Sequence, residues 1–148
     1  MNSFVQPLVI DSNIGVWSIV NGPYLEPKAI REWLSQQATI VVPGLWVYEV
    51  TSVVYRYGRQ KAVDARQALA IILDTPDEII HPDSALAIAA HDWAERLGQA
   101  KAYDAFYLAL AEQLGAEFWT GDKRLYNRAR QVGADFVRFV SEASTGGG

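Results

Sequence analysis

Short apolar runs alternate along this chain with longer stretches in which apolar positions return every three or four residues. Five runs read as strands: VQPLVI at 5–10, TIVVP at 39–43, DEIIHP at 77–82, AEFWT at 116–120 and FVRFV at 136–140. Most are rich in β-branched or aromatic residues, as buried strands tend to be. Helical spacing is expected over 27–37, 44–60, 62–73, 83–97, 102–114 and 123–132. Pro27 and Pro43 sit at helix or turn starts, and Asp83 before Ser84 offers an N-cap. Gly98, Gly115 and Gly133 fall where helices should stop. The alternation predicts an α/β fold with a mostly parallel sheet and helices on both faces. Folds of this kind gather ligands outside the carboxyl ends of the strands, where strand order reverses. With no internal repeat and no linker, one domain over 1–141 is expected, and residues 142–148, ending in STGGG, read as a flexible tail.

Composition narrows the class. A chain of 148 residues can bury about two-thirds of its unfolded surface. Half of it is hydrophobic and a fifth charged, the balance of a soluble globular protein. With no cysteine, disulfides, thiolate catalysis and Cys-based zinc sites are excluded. No run approaches the roughly 18 apolar residues of a membrane span, and the N-terminus lacks the pattern of a signal peptide. A cytoplasmic protein with no membrane partner is therefore expected. The net charge of −4 argues at first against nucleic acid. Yet if four of the 17 acids belonged to one site, 13 would remain against 13 Lys and Arg, and the acidity would be local.

Four acids stand out against the apolar pattern. In LVIDSN, Asp11 follows three large apolar residues at the tip of the first strand. In FWTGDKRL, Asp122 follows another strand across a single glycine. Glu49 lies in the apolar helix LWVYEVTSVVY, and Asp104 opens KAYDAFYLALAEQLG, a helix with little polar circumference. Each has a plain explanation alone: N-caps for Asp11 and Asp122, the helix dipole for Asp104, an exposed stripe for Glu49. Together, carboxylates in one cleft repel one another, and a divalent cation relieves that repulsion. Carboxylate oxygens are what Mg²⁺ and Mn²⁺ prefer, and such ions activate water for attack on a phosphate.

In this order, VIDSN, PxLWxYEV, AYDAFYLALAE and FWTGDKRL resemble the PIN-domain nucleases, particularly the compact VapC-type toxins of toxin-antitoxin pairs. The resemblance runs from residue 8 to about 140, and its third motif is the most specific. It implies a three-layer α/β/α sandwich and an acidic quartet of Asp11, Glu49, Asp104 and Asp122 that binds Mg²⁺ or Mn²⁺ and cuts RNA. Asp11, Asp104 and Asp122 would hold the metal directly, with Glu49 completing its shell or orienting the attacking water. The resemblance further implies homodimers, an antitoxin protein whose tail covers the site, and polar support for the acids from Asn13 and Thr120.

Other features carry less. Arg56, Arg59 and Lys61 follow the Glu49 helix, and Lys123, Arg124, Arg128 and Arg130 follow Asp122. Arg56, Arg59, Lys123 and Arg124 are the candidate RNA-backbone contacts, although a solvated helix face explains them equally well. His81 and His91 are not spaced as ligands and read as surface or core residues, while Trp33 and Trp93 read as packing. Trp46, one turn before Glu49, is the one tryptophan to test as a substrate contact. Haloacid dehalogenase-like phosphatases want an acid where this chain has Asn13, and receiver domains want adjacent acids that it lacks. A PIN fold kept for RNA binding or regulation without turnover is the remaining alternative.

Overall fold

The computed structural model describes residues 6–61, 63–99 and 102–143. Val5 and Ala62, at the start of one expected strand and one expected helix, and residues 144–148 of the expected tail lie outside them. Strands β1 (Pro7–Ile10), β2 (Thr39–Pro43), β3 (Glu78–Ile80), β4 (Glu117–Thr120) and β5 (Val137–Phe139) form a sheet in the order β3-β2-β1-β4-β5. Every pairing is parallel. The helices are α1 (Ser12–Trp17), α2 (Pro27–Ser35), α3 (Gly44–Arg59), α4 (Ala65–Leu73), α5 (Ser84–Leu97), α6 (Tyr103–Leu114) and α7 (Lys123–Gln131). Among the described residues, none is long and apolar enough to cross a membrane.

The chain moves from β1 outward through β2 to β3, then crosses back to β4 and β5 on the other side of β1. Right-handed crossovers, the rule between parallel strands, then place α1 to α4 over one face and α5 to α7 over the other. Contacts agree: α1 packs on α2 and α3, α3 on α4, α5 on α6, and α7 on β4 and β5. The result is the three-layer α/β/α sandwich that the sequence resemblance implied. Strand order reverses between β1 and β4, so a crevice opens at their carboxyl ends.

Local chemistry explains the elements. Val9, Ile10, Val42 and Phe118 are fully buried, as strands covered on both faces require. Pro27 opens α2, and the Asp83 carboxylate accepts the Leu86 N–H at 2.8 Å to cap α5. Helices α5 and α6 stop at Gly98 and Gly115, whose φ of +69° and +64° costs a glycine little. The six-residue α1 was not expected, because one and a half turns show no periodicity and Gly15 interrupts them.

Trp46 corrects an expectation. Its ring is fully buried against α1 and its indole N–H has no hydrogen-bond partner among the described residues, so it does not meet a substrate. It faces the core because the apolar stripe of α3, with Val50 and Val54, includes it. A Cβ on Gly15 would lie 2.6 Å from Trp46 Cζ2. Gly15→Ala should therefore destabilise the fold by about 1–3 kcal/mol despite its better helix propensity, read as a lower urea midpoint.

Candidate active site

Asp11 follows β1 directly and is 5% exposed. Its Oδ1 accepts the Ser12 N–H at 2.7 Å, capping α1, and its Oδ2 accepts the Thr120 hydroxyl at 2.7 Å. The sheet brings Thr120 there: Ile10 pairs with Trp119, and the Asp11 N–H donates to the Trp119 carbonyl at 2.8 Å. Thr120 Oγ1 also accepts the Asp122 N–H at 2.9 Å, tying the two acid-bearing turns together. Asp122 caps α7, its Oδ1 accepting the Leu125 N–H at 3.1 Å. Asn13 Oδ1 accepts the Gly121 N–H at 3.0 Å and so joins the same two turns. The capping explanations for Asp11 and Asp122 are thus correct, and the two capped turns lie side by side at the carboxyl ends of β1 and β4.

The other two acids arrive on helices from opposite faces of the sheet. Asp104 sits in the first turn of α6, where the helix dipole favours a carboxylate, and the Gln99 side chain donates a hydrogen bond to it. Glu49, half-buried on α3, accepts the Tyr107 hydroxyl at Oε1 over 2.5 Å. Helices α3 and α6 meet at the end of β2, where Pro43, Leu45 and Tyr48 face Tyr103 and Phe106 across an apolar groove of about 320 Å³.

Electrostatics shows that the four carboxylates share one field. Burial pushes Asp11 up to about 7, opposed by the Thr120 hydroxyl and aided by repulsion from Asp104 and Glu49. Burial likewise raises Asp104 to about 6, with repulsion from Glu49 and Asp122 adding to it and the Gln99 bond opposing. No three of the four bring an oxygen each within 4.8 Å of one another; among the described residues the group that does is His91, Asp92 and Glu95, exposed along α5. Like charges hold one another apart in such a cleft. Buried Tyr107 is pushed well up by desolvation and by Asp11 and Glu49, and stays a hydrogen-bond donor.

Basic residues divide by position. Lys123 and Arg124 are exposed immediately beyond Asp122, with Arg124 lining a cleft of about 500 Å³ together with Asp122, Gln99 and Arg128. Lys123 Nζ lies 4.5 Å from the centre of the Phe139 ring. Arg56 and Arg59 occupy the last turn of α3, roughly 10 and 15 Å along the helix from Glu49 at 1.5 Å per residue. His81 and His91 are exposed, while Trp33 packs on Trp119 and Trp93 donates to Glu112. Sequence reasoning missed Tyr107, Ser12 and Gln99. Tyr107 lies three residues after Asp104, on the same side of the helix, which was the signal available for it.

A parallel five-stranded sandwich with acids from four elements gathered at its switch point defines a recognisable class. The PIN domain profile matches residues 8–131, and the chain belongs to that family. Comparison with curated proteins gave no match. Among solved structures it is similar to a protein from Pyrobaculum aerophilum, with a TM-score of 0.68, 17% identity, and coverage of 95% of this chain and 94% of that one. It is similar too to a VapBC complex from Rickettsia felis bound to a promoter DNA fragment, with a TM-score of 0.65, 16% identity and coverage of 90% and 98%. A toxin-antitoxin complex from Klebsiella pneumoniae gives a TM-score of 0.62, 19% identity and coverage of 88% and 95%.

Proposed function

We propose that this chain is a metal-dependent ribonuclease that hydrolyses RNA phosphodiester bonds in the cytoplasm as the toxin of a toxin-antitoxin pair. The observation that carries this reading is the convergence of Asp11, Glu49, Asp104 and Asp122, from four separate elements, on the crevice between β1 and β4. PIN-family membership and the solved toxin-antitoxin relatives support it.

The donor set suits Mg²⁺ or Mn²⁺: it is all carboxylate oxygen, and Asp11 Oδ2 spends one hydrogen bond, on Thr120, while Oδ1 takes the Ser12 N–H and the Ser12 hydroxyl. Spacing wider than a closed cage suits an ion that keeps several of its waters. Asp11, Asp104 and Asp122 would hold it, with Glu49 completing the shell. Bound there, it would polarise a phosphate oxygen and lower the pKa of a bound water.

The chain's own residues do the rest. Thr120 and Ser12 hold Asp11 in one orientation, and the Leu125 N–H does the same for Asp122, so the carboxylates need no reorganisation when substrate arrives. Glu49 has one oxygen fixed by Tyr107, and among the described residues the other has no hydrogen-bond partner, which leaves it to complete the metal's shell or to orient the attacking water. Lys123 and Arg124 would steady the RNA backbone beside Asp122 without reading its sequence. The partners on this reading are RNA, an antitoxin that covers the crevice, and a second copy of the chain.

A mixed-sequence RNA incubated with the purified chain should be cleaved when Mg²⁺ or Mn²⁺ is present and left intact in chelator. Cleavage that persists undiminished in chelator would overturn the reading.

A further inference from the structure

The structure assigns Tyr107 the role of a positioning residue: its hydroxyl clamps one oxygen of Glu49 so that the carboxylate presents its other oxygen to the acidic crevice. The inference rests on the proposed ribonuclease site and adds a residue that supports it from behind. Tyr107 is fully buried. Its ring stacks on Phe118 of β4 with centroids 5.2 Å apart and planes 16° from parallel. The ring is therefore held by the sheet, and the hydroxyl has one direction available.

That hydroxyl donates to Glu49 Oε1 at 2.5 Å and accepts from the Ser12 side chain. The Ser12 hydroxyl also lies 3.4 Å from Asp11 Oδ1. One tyrosine thus joins three pieces of the site: α1 through Ser12, α3 through Glu49, and α6, where it stands three residues from Asp104. A flexible glutamate side chain has three rotatable bonds to fix, and Glu49, half-buried on α3, has no other hydrogen-bond partner among the described residues to fix them. Without the clamp it could turn toward solvent, away from the acids it repels.

Tyr107→Phe removes the hydroxyl and keeps the stacked ring, so the chain should fold with an unchanged circular dichroism spectrum. Mn²⁺ affinity, titrated calorimetrically without RNA, should fall about tenfold, and kcat should fall similarly with KM for RNA unchanged. Added to Glu49→Ala, the same change should cost nothing more, because the clamp then has no acceptor to hold. Parental Mn²⁺ affinity and kcat in Tyr107→Phe, a loss that persists in the Glu49→Ala background, or failure to fold would each overturn the role. Asp11→Asn separates the two levels. If it loses Mn²⁺ while Tyr107→Phe keeps it, the ribonuclease reading stands and only the clamp falls; if it keeps Mn²⁺ as the parent does, or the parent binds none, the site reading falls too.

Discussion

Asp11→Asn is expected to lower RNA cleavage by roughly a thousandfold, the scale of losing one pre-positioned electrostatic group, while leaving the fold intact. The side chain keeps its shape. Asn Oδ1 can still accept the Ser12 N–H, and the amide Nδ2 can donate to Thr120 Oγ1, whose hydroxyl proton then turns away. Thr120 Oγ1 has a second lone pair for the Asp122 N–H, so the β4 turn need not move. What disappears is one negative charge at the most buried of the four acids. Single-turnover cleavage alongside circular dichroism would check both halves. Undiminished metal-dependent cleavage by this variant would remove Asp11 from the site.

The second large effect is on stability. In chelator, the melting temperature of the parent chain should fall as pH rises from about 4 to about 7, and Mn²⁺ should recover it at neutral pH. The sign follows from proton counts. Asp11 and Asp104 have native values of about 7 and about 6 against 3.8 for a free aspartate, so between those limits the native state holds more protons than the unfolded one. Stability then declines with rising pH; the penalty is absent below about 4 and complete by about 7. At about 1.4 kcal/mol per pKa unit the two groups together amount to several kcal/mol, on the order of 10–20 °C in a chain of this size. Glu49 and Asp122 set the repulsive part and Thr120 and Gln99 oppose it. An ion that binds only the native state reverses the loss, by about 2.7 kcal/mol at a hundred times its Kd. Asp11→Asn should flatten most of the slope and melt higher than the parent at pH 7 without metal. A metal-free melting temperature that rises through pH 5–7, the same in parent and variant, would contradict this account.

How much of the site was legible depended on the kind of residue. A carboxylate at the end of an apolar strand, or inside an apolar helix, breaks the pattern around it, so Asp11, Glu49, Asp104 and Asp122 were visible one by one. Tyr107 was not, because an aromatic in YDAFYLALAEQL conforms to the pattern and reads as core. Core it is, by its ring; only its hydroxyl belongs to the site, and that becomes apparent when α3 lies against α6. Trp46 misled for the converse reason. One turn from Glu49 on the helix is near in sequence, yet it points the indole at α1 instead of the crevice.

The sequence by itself determined the strand and helix succession apart from the short α1, the parallel sheet that such a succession demands, and the four acids, because apolar periodicity and its violations are local properties. The tertiary structure alone decided that β1 and β4 are neighbours although more than a hundred residues separate them, as the 109-residue span of the Thr120–Asp11 bond shows. It decided as well that Glu49 is clamped by a tyrosine 58 residues away. Strand order and crossover handedness bring remote residues within a hydrogen bond of each other, and no local pattern carries that distance.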